Sequence, residues 1–230
     1  KNKKSIKTIK KELKTSLHKL NEGKFSKKLF DLHGFCYVKN VLSSKEIESY
    51  KSIWDQFYLS ITNRKINKFN PAELLSEIPK DLLELSKNTK ILKVIMQAVG
   101  GDVGLFRARI MLKDKNSRRS NPLHEDFCYQ IGFQNKMSMF LALSNVDKKN
   151  GAMTYYSGTH NFGYLGDAGI INENLLDKDW PKFSVNLKPG DFVLMKSSTW
   201  HASGPNKSSN YRAITDFIYQ PANDFSTKEI

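Results

Sequence analysis

The first thirty residues place Ile6, Ile9, Leu13, Leu17 and Leu20 three or four apart on a lysine-rich background, the spacing of an amphipathic helix. Gly34 interrupts, Phe35 to Val41 reads as a strand, and Ser43-Ser44-Lys45-Glu46 signals the N-cap of a helix over about 45–59. Residues 71–99 read as two helical pieces, with Pro71 at the start, Pro79 as the break and Gly100-Gly101 at the end. Beyond Gly101 short β-rich runs take over, at 103–112, 127–134, 137–146, 152–156, 183–187, 191–196 and 210–219. Turn clusters such as Lys148-Lys149-Asn150-Gly151 and Lys188-Pro189-Gly190-Asp191 separate them. The pattern predicts one α+β domain over 1–230: mostly helical support over 1–100, packed outside one sheet of an antiparallel β core over 101–220.

Composition narrows the function classes. A hydrophobic share of 39% with 11% aromatics excludes disorder throughout the chain. Lys+Arg outnumber Asp+Glu by 37 to 23, a formal charge of +14, and only six of the cations are arginine. The plain reading is a lysine-rich solvated surface; the functional one is attraction of anions, either nucleic acid or a small acidic substrate. Cys36 and Cys128 are too far apart in sequence for a CxxC motif or a disulfide framework, which fits a reducing compartment. With no apolar run of the roughly 18 residues that span a bilayer and no secretory signal in the charged start, the expectation is a cytoplasmic protein.

Chemistry concentrates at His124 and Asp126 in NPLHEDFCYQ. On a strand, a spacing of two turns both side chains to one face. The third ligand has to come from elsewhere, and His201 in SSTWHASGPN is the candidate. Two His and one carboxylate on one face of an octahedron leave open positions, as in non-haem Fe(II) oxygenases. Such an iron needs an electron-donating cosubstrate; a dicarboxylate chelating through its keto-acid end calls for a cation at its far end, and Arg212 on the next predicted strand suits that role. Ser203 could add a hydrogen bond. Each residue alone has a bland alternative, a chance HxD, a structural histidine, a surface arginine; the ordered set shifts the balance.

That set, with LFDLHGFCYVKNVLSSKEI, NGAMTYYSGTHNFG and LKPGDFVLMKSSTWHASGPNKSSNYRAITDFIY, resembles the phytanoyl-CoA dioxygenase-like family of Fe(II)/2-oxoglutarate-dependent oxygenases. The resemblance implies a double-stranded β-helix (jelly-roll, cupin-like) with Fe(II) on His124, Asp126 and His201. It also implies 2-oxoglutarate on Arg212 and Ser203, and O2 as oxidant. It implies hydroxylation of a C–H bond with release of succinate and CO2. Ser157-Gly158-Thr159-His160 departs from the Pro-Gly-Ser-His of many relatives, and the resemblance makes His160 a structural or pocket histidine rather than a rival ligand.

In Leu105 to Leu112, Phe106, Ala108, Ile110 and Leu112 share one face and Arg107, Arg109 and Met111 the other. If helices cover the apolar face, the arginines point inward, Arg109 for the iron-chelating carboxylate of 2-oxoglutarate and Arg107 for an acidic substrate group; a salt-bridged edge strand is the alternative. Alternation from Asp126 puts Cys128 and Gln130 on the inner face, Gln130 as a substrate-facing residue. The loop Lys113 to Asn121 is placed to act as a lid, or is a solvated basic loop, and Thr154 to Tyr156 and Trp200 are pocket walls or core. His18 and His33 read as surface or packing residues. The substrate expected is a small, anionic molecule; the alternative function is a basic nucleic-acid-binding protein or a nucleic-acid-directed oxygenase.

Overall fold

The computed structural model describes residues 5–61, 72–130, 134–163 and 170–224. Helix α1 (Ile6–Ser16) opens on Ser5, whose hydroxyl accepts the Thr8 amide at 3.2 Å. The apolar stripe over the first thirty residues does not run as one helix. A 3-10 stretch, Leu17–Glu22, closes on Gly23 at φ 70, and Ser26 then caps helix α2 (Lys27–His33). Gly34, at φ 86, ends α2; a Cβ there would collide with the His160 ring and Thr199 Oγ1, so only glycine makes this turn into strand β1 (Phe35–Val38). The capping box forms as its sequence demands. Glu46 accepts the Ser43 amide at 2.7 Å while the Ser43 hydroxyl accepts the Glu46 amide at 3.3 Å, starting α3 (Ser44–Ile61).

The expected helix start at Pro71 lies outside the described residues, and Glu73–Leu75 is a short strand, β2, paired antiparallel to β3 (Val103–Lys113). An open sheet edge overrode local propensity there. After Pro79 come α4 (Lys80–Leu83), a 3-10 turn and α5 (Thr89–Val99), which Asn88 caps and Gly100 terminates. The remaining strands are β4 (Asn121–His124), β5 (Met137–Ala142), β6 (Met153–Tyr156), β7 (Lys182–Ser184), β8 (Phe192–Lys196), β9 (His201–Ser203) and β10 (Arg212–Pro221). The strand expected over 127–134 is not formed: Phe127–Tyr129 is a 3-10 turn and 131–133 lie outside the described residues.

Two antiparallel sheets, β1-β8-β5-β10-β3-β2 and β4-β9-β6-β7, face each other as a double-stranded β-helix. Strands β1 and β2, from the first hundred residues, form the two edges of the larger sheet, so the helical and β portions interlock rather than follow one another. On its outer face Ile110, Leu112, Phe217 and Tyr219 pack against Trp54, Leu82, Leu85, Ile91 and Ile95 of α3 to α5. Between the sheets Phe35, Phe140, Met195 and Ile214 meet Tyr155 and Phe183. Helix α1 departs from the expected arrangement: Leu13 joins Leu123, Trp180 and Trp200 over the smaller sheet, not the larger. The Pro-Gly-Asp turn works as a clamp, since Asp191 accepts the Tyr37 hydroxyl at 2.9 Å and the Asn40 amide at 3.0 Å, tying β1 to β8. No helix among the described residues is long and apolar enough to cross a membrane.

Candidate active site

His124 ends β4, His201 opens β9, and the two are register partners with ring centroids 4.1 Å apart. Each imidazole commits its Nδ1 to a backbone carbonyl, His124 to Pro122 at 2.8 Å and His201 to Thr199 at 3.0 Å. A carbonyl only accepts, so Nδ1 carries a proton in both rings, and Nε2 is the nitrogen left to face a metal. The two Nε2 atoms stand 3.6 and 3.9 Å from Asp126 Oδ1. All three donor atoms fall within 4.8 Å of one another. Burial, with the neighbouring His124 ring, pushes the His201 pKa down to about 4, which keeps it the neutral imidazole a cation requires.

Asp126 reaches this position by a turn, not by strand alternation. Strand β4 stops at His124, and the Asp126 amide donates to the Ser197 carbonyl at 2.9 Å, which swings the carboxylate under the rings. Its other oxygen, Oδ2, accepts Gln130 Nε2 at 3.2 Å and lies 3.5 Å from Ser138 Oγ, leaving Oδ1 to face the histidines. Two imidazole Nε2 atoms and a held carboxylate suit a divalent transition metal with open coordination positions. This turn also corrects two expectations. Gln130 is buried behind Asp126 rather than lining the cavity, and Cys128 bonds back to the Glu125 carbonyl at 3.6 Å.

A cavity of about 690 Å³ opens on the three ligand candidates, and Arg212, Ser203, Arg107 and Arg109 all line it. Arg212 is buried; its Nη1 donates to the Gly151 carbonyl at 2.8 Å, its Nε has no partner, and burial lowers its pKa to about 10. The alternation read from β3 is obeyed over Arg107 to Leu112, with Met111 beside the arginines and Ala108, Ile110 and Leu112 against the helices. It fails at Phe106, where a bulge opposite Ile218/Tyr219 shifts the register. Arg109 Nε donates to Asp216 Oδ2, whereas Arg107 makes no ion pair among the described residues.

Asp216 was missed by the sequence reading, although Arg212, Ile214 and Asp216 share one face of β10 and the signal was present. It is fully buried, its Oδ1 lacks a partner, and burial raises its carboxyl to about 6 despite Arg109. The lid reading of Lys113 to Asn121 is not met. Residues 114–120 do not line the cavity, and the loop is pinned to 206: Asn206 donates its amide to the Ser117 carbonyl and Arg118 donates to the Asn206 carbonyl, both at 2.9 Å. Tyr155 and Trp200 are core aromatics, as the plainer reading had it, while Met153 does reach the cavity. His160, with Nε2 3.0 Å from the Asp31 carbonyl, and His33, between Ser157 and Ser16, lock α2 to the barrel away from the cavity; His18 is exposed.

Similarity to known proteins extends over this architecture. A dioxygenase, cnsJ, of Penicillium expansum is 20% identical over 186 residues, 80% of this chain and 52% of that protein. An uncharacterised protein of Saccharomyces cerevisiae, YJR154W, is 27% identical over 90 residues, 39% of this chain and 24% of its own length. The chain thus spans about half, or less, of the curated relatives it matches. Among solved structures, the epimerase SnoN in complex with Fe3+, α-ketoglutarate and nogalamycin RO superposes with a TM-score of 0.74 at 18% identity, covering 90% of this chain and 86% of that one. At that identity the likeness speaks for the fold. The match to the family model, "Phytanoyl-CoA dioxygenase", runs over residues 30–214, from α2 into the start of β10, and so takes in His124, Asp126, His201, Ser203 and Arg212 alike; the chain belongs to the phytanoyl-CoA dioxygenase family of Fe(II)- and 2-oxoglutarate-dependent oxygenases.

Proposed function

We propose that this chain binds Fe(II) through His124, Asp126 and His201 and, with 2-oxoglutarate and O2, hydroxylates a C–H bond of a small, anionic molecule, releasing succinate and CO2. The observation that carries the reading is the convergence of the two histidine Nε2 atoms and Asp126 Oδ1 at the wall of a cavity shared with a buried, incompletely bonded arginine. The bound metal and cosubstrate would supply the oxidising chemistry; the protein supplies position and charge.

The Pro122 and Thr199 carbonyls fix the tautomers, and Gln130 and Ser138 orient Asp126. Arg212, with Ser203 beside it on the cavity wall, suits the distal carboxylate of 2-oxoglutarate. Arg109 is divided between Asp216 and the cavity, which suits a carboxylate close to the metal, and Arg107, with no ion-pair partner among the described residues, suits the substrate anion. Leu74, Tyr129 and Ile170 add an apolar wall for the rest of that molecule.

The test is an anaerobic titration of the protein with Fe(II) and then 2-oxoglutarate, following the visible charge-transfer band of the chelate. The band is expected in the wild type and absent in His124→Ala. Folded, metal-loaded protein without the band overturns the proposal. For the substrate class, Arg107→Ala should lose turnover of an acid while sparing its neutral ester; equal effects on both would remove the anion from the reading.

A further inference from the structure

Arg212 has a second buried cation beside it, outside the lining of the cavity. Lys113, the last residue of β3, is the register partner of Arg212 on β10, and both are almost completely buried. Neither has a carboxylate in ion-pair range among the described residues. Their hydrogen bonds go instead to one pair of touching backbone segments: Arg212 Nη1 to the Gly151 carbonyl, Lys113 Nζ to the Gly204 carbonyl. Gly151 has to be glycine for this to happen. Its φ is 92, and a Cβ there would stand 2.6 Å from the Gly204 carbonyl oxygen and 3.1 Å from Lys113 Cδ, closing the channel along which the lysine lies.

Two buried positive charges side by side, each bonded only to neutral carbonyls, are costly without an anion. The charged groups around Lys113 do not relieve it. Asp114, next in the chain, spends its carboxylate on the Asn116 and Ser117 amides at 2.8 and 3.1 Å, and Arg212 is of the same sign. Resting on the function proposed above, we infer that Lys113 is a positioning residue of the cosubstrate subsite, supplying a second positive charge behind Arg212 and holding the Ser203–Gly204 backbone for the distal carboxylate of 2-oxoglutarate. Burial and Arg212 push the Lys113 pKa down to about 7, so the incoming carboxylate should also draw a proton onto the amine.

The experiment compares two keto acids that chelate alike and differ at the far end. Fe(II)-loaded protein is titrated anaerobically with 2-oxoglutarate and with 2-oxobutanoate, which has no distal carboxylate. Lys113→Met should weaken 2-oxoglutarate about tenfold and leave 2-oxobutanoate unchanged, and Lys113→Arg should restore most of the loss. Unchanged 2-oxoglutarate binding, or an equal loss for both acids, overturns the inference.

A wild-type measurement covers the case in which Lys113→Met does not fold. Calorimetry at pH 8 in buffers of different ionisation enthalpy should show proton uptake with 2-oxoglutarate beyond that with 2-oxobutanoate; equal uptake counts against the role. Failure of both acids to give the chelate band in the wild type would instead sink the metal reading, and this inference with it.

Discussion

At the residue scale, the proposed metal site depends on how hydrogen bonds engage the side-chain atoms that face away from it. Gln130 holds Asp126 Oδ2 at 3.2 Å, so Gln130→Ala should leave the fold intact and weaken Fe(II) about 10- to 100-fold, measured by competition with a chelator. Arg212→Ala should retain iron and lose 2-oxoglutarate affinity by about ten- to a hundredfold, the share of a charge-assisted bidentate contact, as followed by the chelate band. Retention of 2-oxoglutarate in that variant would reassign the cosubstrate cation. That His124, Asp126, His201 and Arg212 meet at one cavity was legible because their types and order are chemically restrictive. Gln130 was placed on the wrong side because alternation was extended past His124, where β4 has already ended.

Among the elements, α1 is the informative one. It lies before the stretch matched by the family model, yet Leu13 is fully buried against the smaller sheet, next to Leu123, one residue before His124. Leu13→Ala should cost about 2–5 kcal/mol, the usual range for a buried leucine, and appear as a lowered midpoint in urea unfolding. A change below about 0.5 kcal/mol would mean that α1 is not docked in solution. The stripe of Ile6, Ile9, Leu13, Leu17 and Leu20 showed that this segment has an apolar face but not which sheet receives it. Strands β4 and β9 escaped notice for a related reason: a strand of three or four residues carries too little periodicity to be seen, and only pairing with a neighbour defines it.

For the whole molecule, the joint between α2 and the barrel makes stability pH-dependent. Burial pushes the pKa of His33 and of His160 down to about 4 from the ordinary 6.5. The unfolded chain therefore takes up protons that the folded one refuses, so stability is complete above about pH 6.5 and falls as the pH drops toward 4. Metal-free protein unfolded in urea at pH 7.5, 6 and 5 should show a midpoint that decreases step by step, with the equally buried His201 adding to the fall; a flat profile would place all three rings in contact with water. By itself the sequence determined what is local or set by chemical type: the capping box at Ser43 and Glu46, the alternating faces of β3 from Arg107 to Leu112, the metal-competent residues and their order. Tertiary structure alone decided what depends on long-range closure. Pairing of β4 with β9 sets His124 opposite His201, the Asp126–Ser197 contact turns the carboxylate under them, and the pairing of β3 with β10 puts Lys113 beside Arg212. The physical reason is the range of the forces: capping and side-chain alternation act over a few residues, while these three meetings join positions about 70 to 100 apart in the chain, which only the burial of both sheets brings together.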